Sequence, residues 1–253
     1  MKEIIQQHLA TLEKTENIRI LFAIESGSRA WGFASPDSDY DVRFIYMRPA
    51  AEYLRFDKKR DVIELMLTTE LDINGWDLDK ALKLLHTSNP TFFEWCNSPI
   101  IYRETTFLDK LNAVKDKYFY SKTGLHHYLS MAAGNHRDTQ HGEQIKYKKY
   151  FYILRPLLAC EWILREGTPP PMRFQELCAY LPPDLQNIVN TLLDMKINNP
   201  ETAHGLKIKE IGNWIEAEIQ RLDAKVLQLP GEPKPDWQEL NDLFLSEVLR
   251  FGV

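Results

Sequence analysis

The sequence predicts an α+β fold: a small mixed β-sheet with helices on one side, followed by an all-helical C-terminal domain. Before residue 105 the apolar residues fall in short β-branched runs such as Ile18 to Glu25 and Tyr40 to Met47. Beyond it they recur at the three- and four-residue spacing of amphipathic helices. That change of period divides the chain into residues 1–105 and 106–253, and 253 residues suffice to bury a core in each part.

Each element has its own signal. Ile4, Ile5, His8, Leu9 and Leu12 mark an opening helix. Ile18 to Glu25 reads as a buried strand that stops at Ser26-Gly27-Ser28. Tyr40 to Met47 reads as a second strand, and Asp61 to Asp72, rich in Val, Ile, Leu and Thr, as a third. Asp77 is placed to cap a helix that carries Leu78, Ala81, Leu82 and Leu85 on one face. Further helices are predicted over roughly 107–119, 123–134, 143–166, 184–195, 205–223 and 236–249. The run Thr168-Pro169-Pro170-Pro171-Met172 ends one of these, because proline does not fit a helix interior.

Composition narrows the partners. A net charge of −5 supplies no overall basic field to gather nucleic acid, so an RNA partner would need a local basic patch. Cys96, Cys160 and Cys178 form no C-x-x-C pair and read as reduced, buried thiols. His126, His127, His136 and His141 lack zinc-ligand spacing. The N-terminus is amphipathic rather than signal-like, and no run approaches the roughly 20 apolar residues of a membrane span. The expectation is a soluble, cytoplasmic protein with no membrane association.

The chemistry concentrates between Glu25 and Arg43. Gly27 permits a close backbone approach closed to larger residues. A short helix starting at Ser28 would aim free N–H groups and a hydroxyl at an anion, which suits phosphate. A strand then begins with Asp39-Tyr40-Asp41-Val42. Side chains alternate along a strand, so Asp39 and Asp41 share a face while Tyr40 turns to the core. Two carboxylates so placed suit Mg²⁺ or Mn²⁺ together with substrate phosphates. A phosphate cradle beside a carboxylate pair points to chemistry on a nucleoside triphosphate such as ATP. Arg29 and Arg43 flank the motif. Arg29 is a candidate phosphate contact, and Arg43 shares the face of Asp41, where it would pair with a carboxylate or a phosphate. On the helix near residue 150, Lys148, Tyr152 and Arg155 form one basic-aromatic stripe at i, i+4 and i+7, fit to hold a triphosphate and stack on a base.

Gly27-Ser28 followed by Asp39-Tyr40-Asp41-Val42 resembles the signature of the DNA polymerase β-like nucleotidyltransferase superfamily. The longer string GSRAWGFASPDSDYDVRFIY resembles its bacterial and phage group allied to RNA-repair nucleotidyltransferases, and the likeness covers about residues 18–175. The resemblance implies a third carboxylate on a neighbouring strand, with Asp61, Glu64, Glu70, Asp72 and Asp77 as candidates. Asp72 is preferred because Leu71-Asp72-Ile73 repeats the pattern of Tyr40-Asp41-Val42 and closes a strand ahead of the Asp77-capped helix. Glu64 and Glu70 share its parity. The resemblance further implies transfer of a nucleoside monophosphate from NTP to a hydroxyl, with an RNA or tRNA 3′ end as leading acceptor. Protein AMPylation, nucleotidylation of a small molecule such as an antibiotic, and non-catalytic NTP binding are the alternatives. The sequence leaves the oligomeric state open.

Overall fold

A computed structural model describes residues 1–57, 59–68 and 70–251. It contains two compact units, one made of Met1–Gly27, Asp39–Tyr118 and Lys234–Val253, the other of Ser28–Ser38 and Phe119–Pro233.

In the first unit, helix α1 (Lys2–Thr15) buries Ile5, Leu9 and Leu12. Strand β1 (Arg19–Glu25) is buried at every position after its first, the mark of a central strand covered on both faces. The short helix α2 (Gly27–Trp31) follows at once and from Ser28 belongs to the second unit; the first resumes with β2 (Tyr40–Met47) and α3 (Ala50–Tyr53). The single strand expected over Asp61 to Asp72 is instead the first of two. Strand β3 (Val62–Thr68) pairs antiparallel with β4 (Leu71–Asp77), so Asp72 opens a strand rather than closing one. The reversal was invisible because the sequence from Thr68 to Glu70 contains none of the Gly, Pro, Asn or Asp that announce a turn.

The sheet order is β3-β4-β2-β1-β5, with β5 spanning Ile101–Arg103. Only β2 and β4 run parallel, and their register sets Asp41 opposite Asp72 and Arg43 opposite Asn74. Helix α4 (Leu78–His86) starts on Asp77, whose carboxylate accepts from the Asp79 N–H at 2.9 Å. Asn89 caps α5 (Pro90–Cys96), with proline in the first turn where its missing N–H costs nothing. Thr105 caps α6 (Thr106–Val114). The sequence placed helices on one side of the sheet; the register adds α1 on the other. Ile5, Leu9 and Leu12 pack with Val42, Phe44, Tyr46 and Ile73. Phe107 of α6 stacks on Phe22, which points the opposite way.

The second unit comprises α7 (Ser121–Arg137), β6 (Gln144–Lys146), α8 (Tyr147–Glu166), α9 (Phe174–Leu177), α10 (Pro183–Asn198), β7 (His204–Leu206) and α11 (Lys209–Gln228). The helices expected from 143 and 205 start later, because residues 144–146 and 204–206 pair as an antiparallel ribbon. Three residues are too few to show an alternating pattern. Helix α8 is buried along most of its length and ends at Gly167, whose φ of +66° is the left-handed turn that glycine adopts freely. Phe33, from the segment after α2, joins this core against Phe151 and Phe174, with ring centroids 5.0 and 5.7 Å away. The chain returns to the first unit with α12 (Gln238–Val248). No helix among the described residues is long and apolar enough to cross a membrane.

Candidate active site

Strand pairing builds the acidic centre. Asp41 and Asp72 stand side by side at the starts of two parallel strands, each flanked by apolar residues that turn to the opposite face. One nitrogen of Arg43 lies 2.9 Å from Asp41 Oδ1 and 2.8 Å from Asp72 Oδ2. Asp39 is exposed, one residue ahead of β2. Burial pushes the Asp41 carboxyl above its ordinary range, and the charges of Asp72 and Asp39 push the same way against the opposing pull of Arg43. The other third-acid candidates are placed differently. Asp77 caps α4 and Glu64 pairs with Arg60 at 2.5 Å. Glu70 lies at the reversal ahead of β4.

Gly27 fits against this centre for two reasons. Its φ is +60°, and a Cβ on it would fall 2.1 Å from Asp41 Oδ2. The backbone after β1 thus approaches a carboxylate at a distance no side chain would allow. Glu25, which the sequence reading passed over as the end of a strand, is fully buried. It accepts from the Asp41 N–H at 2.6 Å and from the Tyr102 hydroxyl. Ser26 N–H in turn donates to Asp41 O at 2.8 Å, so the backbone of Asp41 is fixed from both sides. A signal for Glu25 did exist: an acid closing an apolar strand must be buried with a partner or lie at a site.

The remaining candidates belong to the second unit. Ser28 continues α2 from Gly27, and its carbonyl accepts from Phe33 N–H at 3.0 Å. Arg29 donates to Ser38 O at 2.6 Å and so closes the segment between them. The stripe on α8 divides. Lys148 is partly exposed and lies 3.2 Å from Glu201 Oε2. Tyr152 meets the edge of Trp31 with centroids 5.9 Å apart. Arg155 is only 2% exposed; its guanidinium sits 4.7 Å over the Trp31 ring and reaches Met172 O at 3.4 Å. Helical spacing places the three in a row, but the bulk packed around α8 buries the last of them.

Among the described residues, no three His, Cys, Asp or Glu side chains already form a ligand-ready cluster. The donor set nevertheless suits a hard divalent cation. It holds mutually repelling carboxylates, one of them partly desolvated, with a single guanidinium balancing two of them.

A strand running into Gly-Ser and a short helix, then an acid-bearing strand paired with a second, defines a nucleotidyltransferase-like protein of the DNA polymerase β superfamily. Over residues 1–246 the chain matches RlaP, the RNA repair pathway DNA polymerase beta family, and it belongs to that family. It is also 42% identical over 251 residues to the uncharacterized protein YcgL of Bacillus subtilis (strain 168), covering 98% of this chain and 96% of that one. A nucleotidyltransferase-like protein from Exiguobacterium sibiricum 255-15 aligns over 98% of this chain and 90% of its own. Its identity is 13% and its TM-score 0.32, a likeness too distant to bear on the site.

Proposed function

We propose that this protein transfers a nucleoside monophosphate from an NTP to the 3′ hydroxyl of an RNA, releasing pyrophosphate. The observation that carries the reading is the pairing of Asp41 with Asp72 beneath one guanidinium. Asp39, Asp41 and Asp72 would hold Mg²⁺ or Mn²⁺, which supplies charge neutralisation at the phosphates and eases ionisation of the attacking hydroxyl. The acceptor oxygen attacks the α-phosphorus, and the bond from that phosphorus to the bridging α–β oxygen breaks. The proton passes to the Asp72 carboxylate and pyrophosphate leaves. Gly27 is the first unit's proposed phosphate contact, and Ser28, Arg29, Lys148 and Tyr152 are the second unit's proposed nucleotide-binding residues. Arg155 serves this set from behind, by holding Trp31. On this reading residues 1–105 are the catalytic core and 106–253 bind substrate, in the cytoplasm where NTP and RNA are found. RNA is favoured as acceptor by the description of the family to which the chain belongs.

The test is incubation with each α-³²P-labelled NTP and Mg²⁺, offering total RNA and cell protein together. Label in RNA, lost when the 3′ ends are blocked by phosphate, is the expected result, and RNA binding should weaken steeply with salt as counterions are released. Label in protein would replace RNA with AMPylation. NTP binding without transfer to any acceptor would make the chain a nucleotide sensor.

A further inference from the structure

Glu25 pairs with Val42 in the sheet, which sets Ser26 across from Asp41 at the point where β1 ends. In a closed antiparallel pair each residue donates its N–H to the other's carbonyl. Ser26 N–H does donate to Asp41 O at 2.8 Å, but Asp41 N–H donates instead to Glu25 Oε1 at 2.6 Å. The chain turns away at Gly27 to bring its backbone against the Asp41 carboxylate, and Glu25 supplies the bond that this turn removes. Glu25 is itself held at each of its other polar atoms. Its N–H donates to Ile100 O at 2.9 Å, and its carbonyl accepts from Ser98 Oγ at 2.6 Å. Its second carboxylate oxygen accepts from the Tyr102 hydroxyl. Tyr102 reaches it from β5 through a break in register. Ala23 lies opposite Arg103 and Ile24 opposite Ile101, which leaves Tyr102 as an extra residue between the two pairs. Such a bulge re-aims a side chain out of the regular alternation of a strand.

Packing alone does not call for this arrangement. An apolar residue at position 25 would be simpler to bury, but it would leave the Asp41 N–H without that acceptor inside the sheet. What the acid and the phenol add is geometry. Directional bonds allow one position for the Asp41 backbone where packing would allow several. That backbone carries the carboxylate that meets Arg43 and stands beside Asp72.

We propose that Glu25 is a positioning residue for the acidic centre and Tyr102 its support, fixing the Asp41 backbone so that the carboxylates of Asp41 and Asp72 share one divalent cation. All of these residues lie in the first unit. The proposal rests on the function given above, in which Asp41 is a metal ligand. The test uses the full-length protein and Mn²⁺. Binding is followed by electron paramagnetic resonance, turnover is measured separately, and hydrogen exchange is read at the Asp41 amide. Glu25→Leu should speed exchange of that amide, weaken Mn²⁺ binding about tenfold or more and lower kcat, as loss of an outer partner does at metal sites. Tyr102→Phe removes a single oxygen. It should do the same to a smaller extent while leaving KM for NTP within about twofold, since it touches no phosphate contact. Glu25→Gln keeps an oxygen for the Asp41 N–H and offers an amide to the Tyr102 hydroxyl, so Mn²⁺ affinity should stay within about threefold of wild type. Adding Tyr102→Phe to Glu25→Leu should bring little further loss, because Tyr102 acts through Glu25.

Should Glu25→Leu fail to fold, Tyr102→Phe decides alone. Unchanged Mn²⁺ affinity and kcat in these two variants, with only a lowered Tm, would reduce the contacts to a brace and overturn the proposal. A Glu25→Gln protein as impaired as Glu25→Leu would overturn it too, since the hydrogen bonds are kept. Asp41→Asn in the same assay separates the two readings. If it leaves Mn²⁺ binding and transfer intact, the metal role of Asp41 fails and the positioning role with it. If it abolishes them while Glu25→Leu and Tyr102→Phe do not, only the positioning role is wrong.

Discussion

Asp72 lies directly across from Asp41 on a parallel neighbour strand, although 31 positions separate them in the chain. Parallel strands need a crossover, and here α3 and β3 make it, returning the chain so that both acids enter the sheet at the same end. Two carboxylates so close repel, and Arg43 offsets part of that cost by bridging them.

This relationship makes Asp72 the sharpest point of attack. Asp72→Asn keeps the shape and removes the charge. Transfer should fall at least about 100-fold, roughly 2.7 kcal/mol in the barrier, while NTP affinity stays near normal. Steady-state kinetics with equilibrium NTP binding on the same protein checks it. If Glu64→Gln or Glu70→Gln behaves this way and Asp72→Asn does not, the third acid lies elsewhere.

Gly27→Ala strikes the same centre from the backbone. The new methyl would meet Asp41 Oδ2 at 2.1 Å and strain a residue held at φ +60°. Stability should drop by about 1–3 kcal/mol, the range for a forced left-handed residue, and transfer should be nearly abolished. Denaturant unfolding alongside the labelling assay reads both, and wild-type behaviour in either would show that the loop relaxes without cost.

A third expectation concerns pH. Burial pushes Asp77 up from 3.8 to about 6 against the pull of the Asp79 N–H, Tyr53 and Arg48. Between about pH 4 and 6 the folded protein keeps a proton that the unfolded chain has released. Stability from this group is therefore full below pH 4 and is lost as pH rises through 6. Asparagine caps helices as well as aspartate does, so Asp77→Asn should fold. Relative to wild type it should gain on the order of 2 kcal/mol between pH 4 and 7. Parallel stability curves for the two proteins would refute the assignment.

The stripe on α8 should separate under mutation. Lys148→Ala should raise KM for NTP by the equivalent of about 1.5–3 kcal/mol with little change in Tm, as for one charge-assisted contact. Arg155→Met should do the reverse at first order, lowering Tm because its guanidinium is packed over Trp31 inside the unit. Thermal melts and initial rates on both variants distinguish a ligand contact from a support, and an unchanged KM for Lys148→Ala would make that residue only the partner of Glu201.

The sequence by itself determined whatever is local. The stop of β1 at Gly27, the entry of β2 at Tyr40, and the Asp77 cap each depend on a few neighbouring residues, whose chemistry is legible where they stand. The signature from Gly27 to Asp41 sufficed to place the chain in its superfamily, because it too lies within one short stretch. Asp72 was selected by its apolar flanks, yet the pattern could not say that it faces Asp41. Facing is a matter of strand register, and register was hidden by a hairpin whose turn residues carry no signal. The exposure of Arg155 was misjudged for a related reason, since helical spacing fixes direction around an axis but not what is packed there. The partners of Glu25 and Glu201 came only from the tertiary structure. Each acid is a charge whose meaning depends on partners brought near by folding, 16 residues away for Glu25 and Asp41 and 163 for Glu201 and Ser38. Short-range stereochemistry is written along the chain, whereas the pairing of distant charges exists only once the backbone has closed the distance between them.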